Sequence, residues 1–197
     1  MIATLFDDPE LKPHLYPFSA ARPIADIRLG GLTLLEKWQS DMPDLEWQHA
    51  TSTLLQPLYP KKSEDSKLWI SGALLPDYEI VKAIAELPPA HTLTTPEGEI
   101  LAWHHEGQGQ HPWEAGQSPA QTRTYSRPVQ RFTRIWQVFE LLHQEIKRDI
   151  QRVGARPQAL PASAGVTIIG DPKLVFMAPG AKAFACTLNT SAGPIFL

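Results

Sequence analysis

Nineteen prolines stand in this 197-residue chain, about twice the usual share of ~5%. Proline fixes its own φ and lacks an amide hydrogen, so it interrupts helices and ladders alike. The chain is therefore expected to fold as many short elements joined by stiff turns. Four of the prolines, Pro9, Pro13, Pro17 and Pro23, fall in residues 9–23. That stretch has no clean period, but Leu11, Leu15, Tyr16 and Phe18 give it something to bury, so it reads as an ordered loop. The length predicts one domain, with room for an appendage and a core that needs no staples. The single Cys186 excludes an intrachain disulfide framework and a Cys-rich zinc site. A formal net charge of −3 argues against a general nucleic-acid binder. No apolar run approaches the ~18 residues needed to span a bilayer. The first residues meet acid at Asp7-Asp8, too early for a secretory signal. A cytoplasmic, reducing location is expected.

Ile2 to Phe6 is a short apolar run that reads as a buried strand ending in a polar Asp-Asp-Pro turn. Ile24 to Leu29 reads as a strand or extended segment running into Gly30-Gly31. Thr33 and Glu36 have capping-box spacing and predict a helix through about Gln39. Strands are expected near 45–49 and at 68–70. Pro76 opens a helix with Ile80, Val81, Ile84 and Leu87 at helical spacing. Residues 91–95 and 98–104 predict a hairpin around Pro96-Glu97-Gly98. Residues 106–128 read as a long surface loop. The strongest helix spans 135–152, with a face of Ile135, Val138, Phe139, Leu142, Ile146 and Ile150. Residues 155–164 read as a linker. Beyond them come short strands at 166–169, 174–177, 184–188 and 195–197. Ile168, Leu174, Gly180, Cys186 and Ala192 form a loose six-residue register, open between a parallel β-helix coil and a terminal β-meander. The alternation predicts an α/β layer sandwich with a largely parallel sheet, whose ligands would lie outside the carboxyl ends of strands.

Several residues carry candidate chemistry. Arg22 and Arg28 flank the approach to Gly30-Gly31 and a capped helix, and two guanidiniums there would grip phosphate oxygens. Alternatively, Arg28 ties to Asp26 or Asp7. Asp7 and Asp8 at a strand end would hold Mg²⁺ against a phosphate, or cap backbone amides in an Asp-Pro turn. His104 and His105 would point to opposite faces, a poor metal pair. Cys186 among small residues reads as a packed thiol.

The segments 5–9, 15–19, 22–30, 32–33 and 36–38, including Arg22-Pro23-Ile24-Ala25-Asp26-Ile27-Arg28-Leu29-Gly30, resemble a bacterial family of sugar nucleotidyltransferases. That family is related to the bifunctional N-acetylglucosamine-1-phosphate uridylyltransferases. The resemblance returns at Ile135-Trp136-Gln137-Val138-Phe139 and at Thr187 to Ile195. It implies a Rossmann-like nucleotidyltransferase domain over 1–160, followed at 165–197 by the first turns of a left-handed β-helix of hexapeptide repeats. It implies attack of a sugar 1-phosphate on the α-phosphate of an NTP, with Mg²⁺ and release of pyrophosphate. By motif position, the loop from Lys12 through Ser19 to Arg22 would stand where related enzymes place a glycine-rich NTP loop. Arg22, Arg28, Gly30 and Gly31 would line the same mouth, and Ser71-Gly72 would lie near a metal-binding position. The chain departs from the family by lacking a Gly-x-Gly-x-Arg loop and by carrying Gln137 in place of Asp.

Two functions compete: nucleotidyl transfer, and a non-catalytic nucleotide- or sugar-phosphate-binding domain that regulates an attached β-helix acyltransferase. The missing glycine loop favours the second, and the Arg22/Arg28 framework the first. Bare apolar residues at 195–197 predict that the tail packs on the α/β domain or continues as further coils, and that homo-oligomers form through this region.

Overall fold

The computed structural model describes residues 1–63, 65–105, 121–153, 165–178 and 180–197. The expected linker and most of the expected 106–128 loop lie outside these residues. Ten strands and three α-helices are described: β1 (Ile2–Phe6), α1 (Leu34–Asp41), β2 (Glu46–Ala50), β3 (Leu68–Ser71), α2 (Tyr78–Ala85), β4 (His91–Thr94), β5 (Ile100–His104), β6 (Gln121–Thr124), α3 (Gln137–Arg152), β7 (Thr167–Ile169), β8 (Val175–Phe176), β9 (Thr187–Asn189) and β10 (Ile195–Phe196).

β1 to β6 form one sheet in the order β2-β1-β3-β5-β4-β6. β1 pairs in parallel with β2 and β3, and β4 in parallel with β6. β5 lies antiparallel to both its neighbours. Five strands thus run one way, and their carboxyl ends share one edge. The architecture is mixed α/β, with the largely parallel sheet that the alternation predicts.

Residue alternation sorts the sheet's two faces. Ala3, Leu5, Leu68, Ile70, Leu93 and Ala102 join Trp38 of α1 and Ile80 and Ile84 of α2 in one cluster. The other face carries Phe6, Trp69 and Trp103. It also carries Thr4 and Gln48, bonded to each other at 3.0 Å. The amides of Lys62 and Ser63 donate to Gln48 Oε1, so the segment after β2 covers this face. A third cluster of Leu11, Leu15, Ile24, Ile27, Leu29, Leu34, Ala73, Leu75 and Phe132 fills the carboxyl edge.

The Thr33 capping box forms as its spacing predicts: Glu36 N donates to Thr33 Oγ1 at 3.1 Å and Thr33 N to Glu36 Oε2 at 2.7 Å. Thr33→Ala is expected to lower stability by about 1 kcal/mol in urea denaturation.

Four expectations are corrected. Residues 24–29 are not a strand: Ile24–Asp26 is a 3₁₀ turn entered from Pro23, closed by Asp26 N to Pro23 O at 3.1 Å and Ile27 N to Ile24 O at 3.0 Å. β6 lies in the stretch read as loop, because an exposed polar edge strand has no hydrophobic alternation to reveal it. The predicted apolar stripe of α3 is partly outside, with Phe139 79% exposed, while Glu145 and Asp149 are buried. Acids face inward there because Lys37 waits opposite. Finally, the tail does not follow a six-residue register. β7 pairs with β9 and β8 with β10, both in parallel and both at an offset of 20 residues (Thr167↔Thr187, Val175↔Ile195). Val175, Leu188 and Thr190 are buried, whereas Gly180 and Ala192 are exposed. The tail lies against the main unit: a Cβ on Gly193 would stand 3.2 Å from the His143 ring of α3, and Phe196 lines a small apolar pocket with Ile146 and Ile150 of α3 and Val153 just beyond it.

No helix among the described residues is long and apolar enough to cross a membrane.

Candidate functional site

The carboxyl ends of β1 and β3 are covered by their own chain. Ile24 N donates to Asp7 Oδ1 at 2.7 Å, and Ile24 and Ala25 are 0% and 1% exposed. Gly72 N donates to Phe6 O at 2.8 Å. A Cβ on Gly72 would stand 3.0 Å from that oxygen and 3.6 Å from the Ala25 side chain. Ser71 is buried beside it. The Ser71-Gly72 position is therefore a close backbone contact.

Asp7 and Lys12 form a buried pair. Lys12 Nζ lies 2.5 Å from Asp7 Oδ2, and the two side chains are 9% and 5% exposed. Thr51 Oγ1 donates to the same oxygen at 2.6 Å and accepts from Lys12 at 2.9 Å. Ser19, fully buried, donates to Lys12 O at 2.7 Å and holds the loop that carries the lysine. Asp8 Oδ1 accepts from the amides of Glu10 and Leu11, an Asp-Pro turn cap.

Gly30 and Gly31 meet a different anion. Gly30 adopts φ +92°, which a glycine accepts without strain. Gly31 N and Leu32 N donate to Asp149 Oδ2 at 3.0 and 3.2 Å. A carboxylate from α3 thus sits on the backbone donors ahead of α1. The same carboxylate lies 2.6 Å from Lys37 Nζ, whose side chain is 0% exposed; Glu145 Oε2 lies 2.9 Å from that nitrogen. Arg152 closes the hub, paired with Asp41 at 3.0 Å and with Asp149 at 3.1 Å. Burial disfavours the Arg152 charge, but the hydrogen bonds it donates to Asp41 and Asp149, with the charges of Asp41 and Glu145, outweigh it and raise its pKa. Arg28 is exposed, bonds to Gly31 O and lies 3.5 Å from Glu36, so it ties the loop to α1.

Arg22 differs. It is exposed and makes no ion pair among the described residues, and it lines an open cleft of about 410 Å³ with Asp26, Thr33, Glu36, Gln39 and Tyr59. Behind that wall, His49 Nε2 lies 3.0 Å from Asp26 Oδ1. The His49 ring meets the Tyr59 ring edge-on at 5.4 Å. Burial and the Asp26 carboxylate push the Tyr59 hydroxyl above its usual pKa, with Arg22 pulling the other way. Chemically, the cleft offers one open guanidinium for an anion, and carboxylate, hydroxyl and amide groups for sugar hydroxyls. Sequence reasoning named Arg22 for this site and missed the parts played by Asp26, His49 and Tyr59. They come from three separate segments, and no spacing links them.

A larger cleft of about 690 Å³ lies farther along, lined by Thr95, Glu99, Ser126, Arg131 and Gln137 among others. Arg131 pairs with Glu99 and keeps a buried Nε without a hydrogen-bond partner. Gln137 Oε1 accepts from the amides of Thr133 and Arg134 at 2.7 and 2.9 Å. It thus closes the start of α3 where the resembling family carries Asp.

Among the described residues, neither His104 nor His105 belongs to a group placed to hold a metal. His104 Nδ1 lies 2.8 Å from Leu87 O, and the His105 ring packs against Trp103. The carboxylates at the end of β1 do not fit Mg²⁺ either. Asp7 has both oxygens engaged by Lys12, Thr51 and Ile24, and Asp8 caps two amides. Among the described residues, no group of three or more His, Cys, Asp or Glu side chains is placed to hold a metal.

A family model described as sugar nucleotidyl transferase matches residues 3–156. No curated protein matches this chain.

Proposed function

The chain belongs to the sugar nucleotidyl transferase family, and from that premise we propose that it transfers a nucleotidyl group from a nucleoside triphosphate to a sugar 1-phosphate. A phosphate oxygen of the sugar attacks the α-phosphorus. A P–O bond forms there, the bond to the bridging oxygen of the β-phosphate breaks, and pyrophosphate leaves with the electron pair. Such a step depends on alignment and charge neutralisation.

The observation that carries this reading is the open Arg22 cleft, formed by the segment after β1, by α1 with its Thr33 cap, and by Tyr59 from the loop after β2. In this reading Arg22 grips phosphate oxygens of the nucleotide, and Asp26 and Gln39 accept and donate to hydroxyls. The sugar 1-phosphate is assigned to the second cleft, which Arg131 lines while paired with Glu99, and where Thr95 and Ser126 offer hydroxyls. Arg28, Gly30 and Gly31 act here as the scaffold of the Arg22 mouth. We place the reaction in the cytoplasm of a bacterium. The relation to the N-acetylglucosamine-1-phosphate uridylyltransferases belongs to the same proposal. So does a left-handed β-helix beginning at 165, which the two parallel pairs at a common offset support, and self-association through it.

Pyrophosphate release measured over a panel of nucleoside triphosphates and sugar 1-phosphates tests the reaction. One pair should turn over, and Arg22→Ala should lower its kcat/KM about 10- to 100-fold, the loss of one charge-assisted contact. The melting temperature should hold, because Arg22 is exposed and makes no ion pair among the described residues.

A second reading is favoured by the buried Ile24–Ala25 cover over β1 and β3: a domain that binds sugar phosphates or nucleotides without turnover. Calorimetric binding with no pyrophosphate from any pair would select it.

A further inference from the structure

We propose that Asp26 reads the 2′-hydroxyl of a ribose, that His49 is the positioning residue that holds the Asp26 carboxylate for it, and that the cleft therefore takes ribonucleotides ahead of 2′-deoxyribonucleotides. This rests on the assignment of a nucleotide to the Arg22 cleft.

The charges of the cleft sort its ligand. Among the described residues that line it, Arg22 is the one cation, and Asp26 and Glu36 are the carboxylates. An anionic group settles at Arg22, so the part of the ligand that reaches Asp26 has to be uncharged and rich in donors. Glu36 is already engaged: its Oε2 accepts from Thr33 N at 2.7 Å and lies 3.5 Å from Arg28. Asp26 is thus the acceptor left for the ligand. A ribose cis-diol suits it, with two O–H donors side by side against one carboxylate.

Asp26 is held from several sides. Its own amide closes the 3₁₀ turn on Pro23 O at 3.1 Å, and Ile24 N fixes that turn to Asp7 at the end of β1. His49 comes from β2, where the register sets it beside Leu5 of β1. Its Nε2 lies 3.0 Å from Asp26 Oδ1, and the two side chains are 11% and 23% exposed, so the histidine stands behind while the carboxylate reaches the cleft. His49 Nδ1 is buried without a hydrogen-bond partner among the described residues. A proton there would face no acceptor, so the tautomer that fits carries it on Nε2 and donates it to Asp26. The Tyr59 ring packs edge-on against His49, and its hydroxyl bonds to the same carboxylate. A carboxylate accepts at about four positions, so these two donors leave room for a diol.

Calorimetric titration of ATP, GTP, CTP and UTP, each against its 2′-deoxy counterpart, into the full chain tests this. For the base that binds best, the ribo form should bind about tenfold more tightly or better, the worth of one hydrogen bond to a charged acceptor. Arg22→Ala should weaken both forms alike. Asp26→Asn should weaken the ribo form, leave the deoxy form as tight or tighter, and bring the ratio close to one. His49→Phe keeps a ring beside Tyr59 but removes the donor, and should lower the ratio. His49→Gln, whose amide can donate to the same oxygen, should restore part of it, which a merely structural histidine would not show. Should Asp26→Asn fail to fold, the two His49 variants decide. The inference is overturned by ribo and deoxy forms that bind equally, by a ratio that survives Asp26→Asn, or by glucose 1-phosphate displacing the ribonucleotide, which would make the cleft a sugar-phosphate site. A ratio of one with both forms weakened by Arg22→Ala sinks this inference and spares the nucleotide assignment. No binding of any nucleotide sinks both. Discrimination without pyrophosphate release from any substrate pair sinks the proposed reaction alone.

Discussion

Lys37→Met is expected to destabilise the chain by about 3–5 kcal/mol, the range for removing one partner of a buried ionic group. Lys37 is fully buried, and its ammonium meets Glu145 at 2.9 Å and Asp149 at 2.6 Å. Without it, two carboxylates of α3 stay buried. Arg152 answers them only in part, because it is also shared with Asp41. Methionine keeps the volume and helix propensity of lysine, so the loss reports on charge rather than on a cavity. Urea denaturation should show a lower midpoint at unchanged slope. Adding Asp149→Asn and Glu145→Gln should recover part of the loss, since a neutral hub leaves no orphan charge. A single-variant loss below about 1 kcal/mol would mean that water or the arginines already neutralise these acids.

Gly30→Ala is the second large effect, about 2–4 kcal/mol, from backbone strain and a damaged contact together. At φ +92° an alanine is strained wherever it stands. Its Cβ would also fall 2.7 Å from Asp149 Oδ2 and 3.1 Å from Glu145 Cβ. Asp149 would have to move, and with it the acceptor of Gly31 N and Leu32 N. Hydrogen exchange should therefore speed up at the amides of Gly31 and Leu32 beyond the global change. Gly98→Ala serves as the control: it has φ +89° but nothing within 4 Å of an added Cβ, so it carries the strain without the collision.

Much of the fold was legible because local rules and burial agree. Ile2 to Phe6 is an apolar run that buries on both faces. Thr33 and Glu36 cap α1 as their spacing requires. Asp77 caps α2 one residue after Pro76, where the proline and the apolar period both place a helix start. What stayed hidden depends on long-range partners. Lys12 is placed in the nucleotide loop by its position in the motif, and its burial against Asp7 depends on Thr51, 39 residues away, which bonds to both. Glu145 and Asp149 belong to the polar face of α3 by pattern, and only Lys37 on another helix turns that face inward. In the cleft, Arg22 was legible from its place in the motif. The place of Asp26 was not, because Pro23 sends the segment into a 3₁₀ turn instead of the extended course its alternation indicates.

The hub between α1 and α3 also has a consequence in time. Lys37 and Asp149 are 112 residues apart in sequence, and closing so long a loop carries an entropic cost before any contact offsets it. Such contacts tend to form after the more local sheet pairings, beyond the folding barrier. Damage to them then falls on the unfolding rate and leaves the folding rate nearly unchanged. The buried charges of α3 act as a late clasp: they set how long the assembled glycine loop and the neighbouring Arg22 mouth persist once made, and have little say in how quickly they are made.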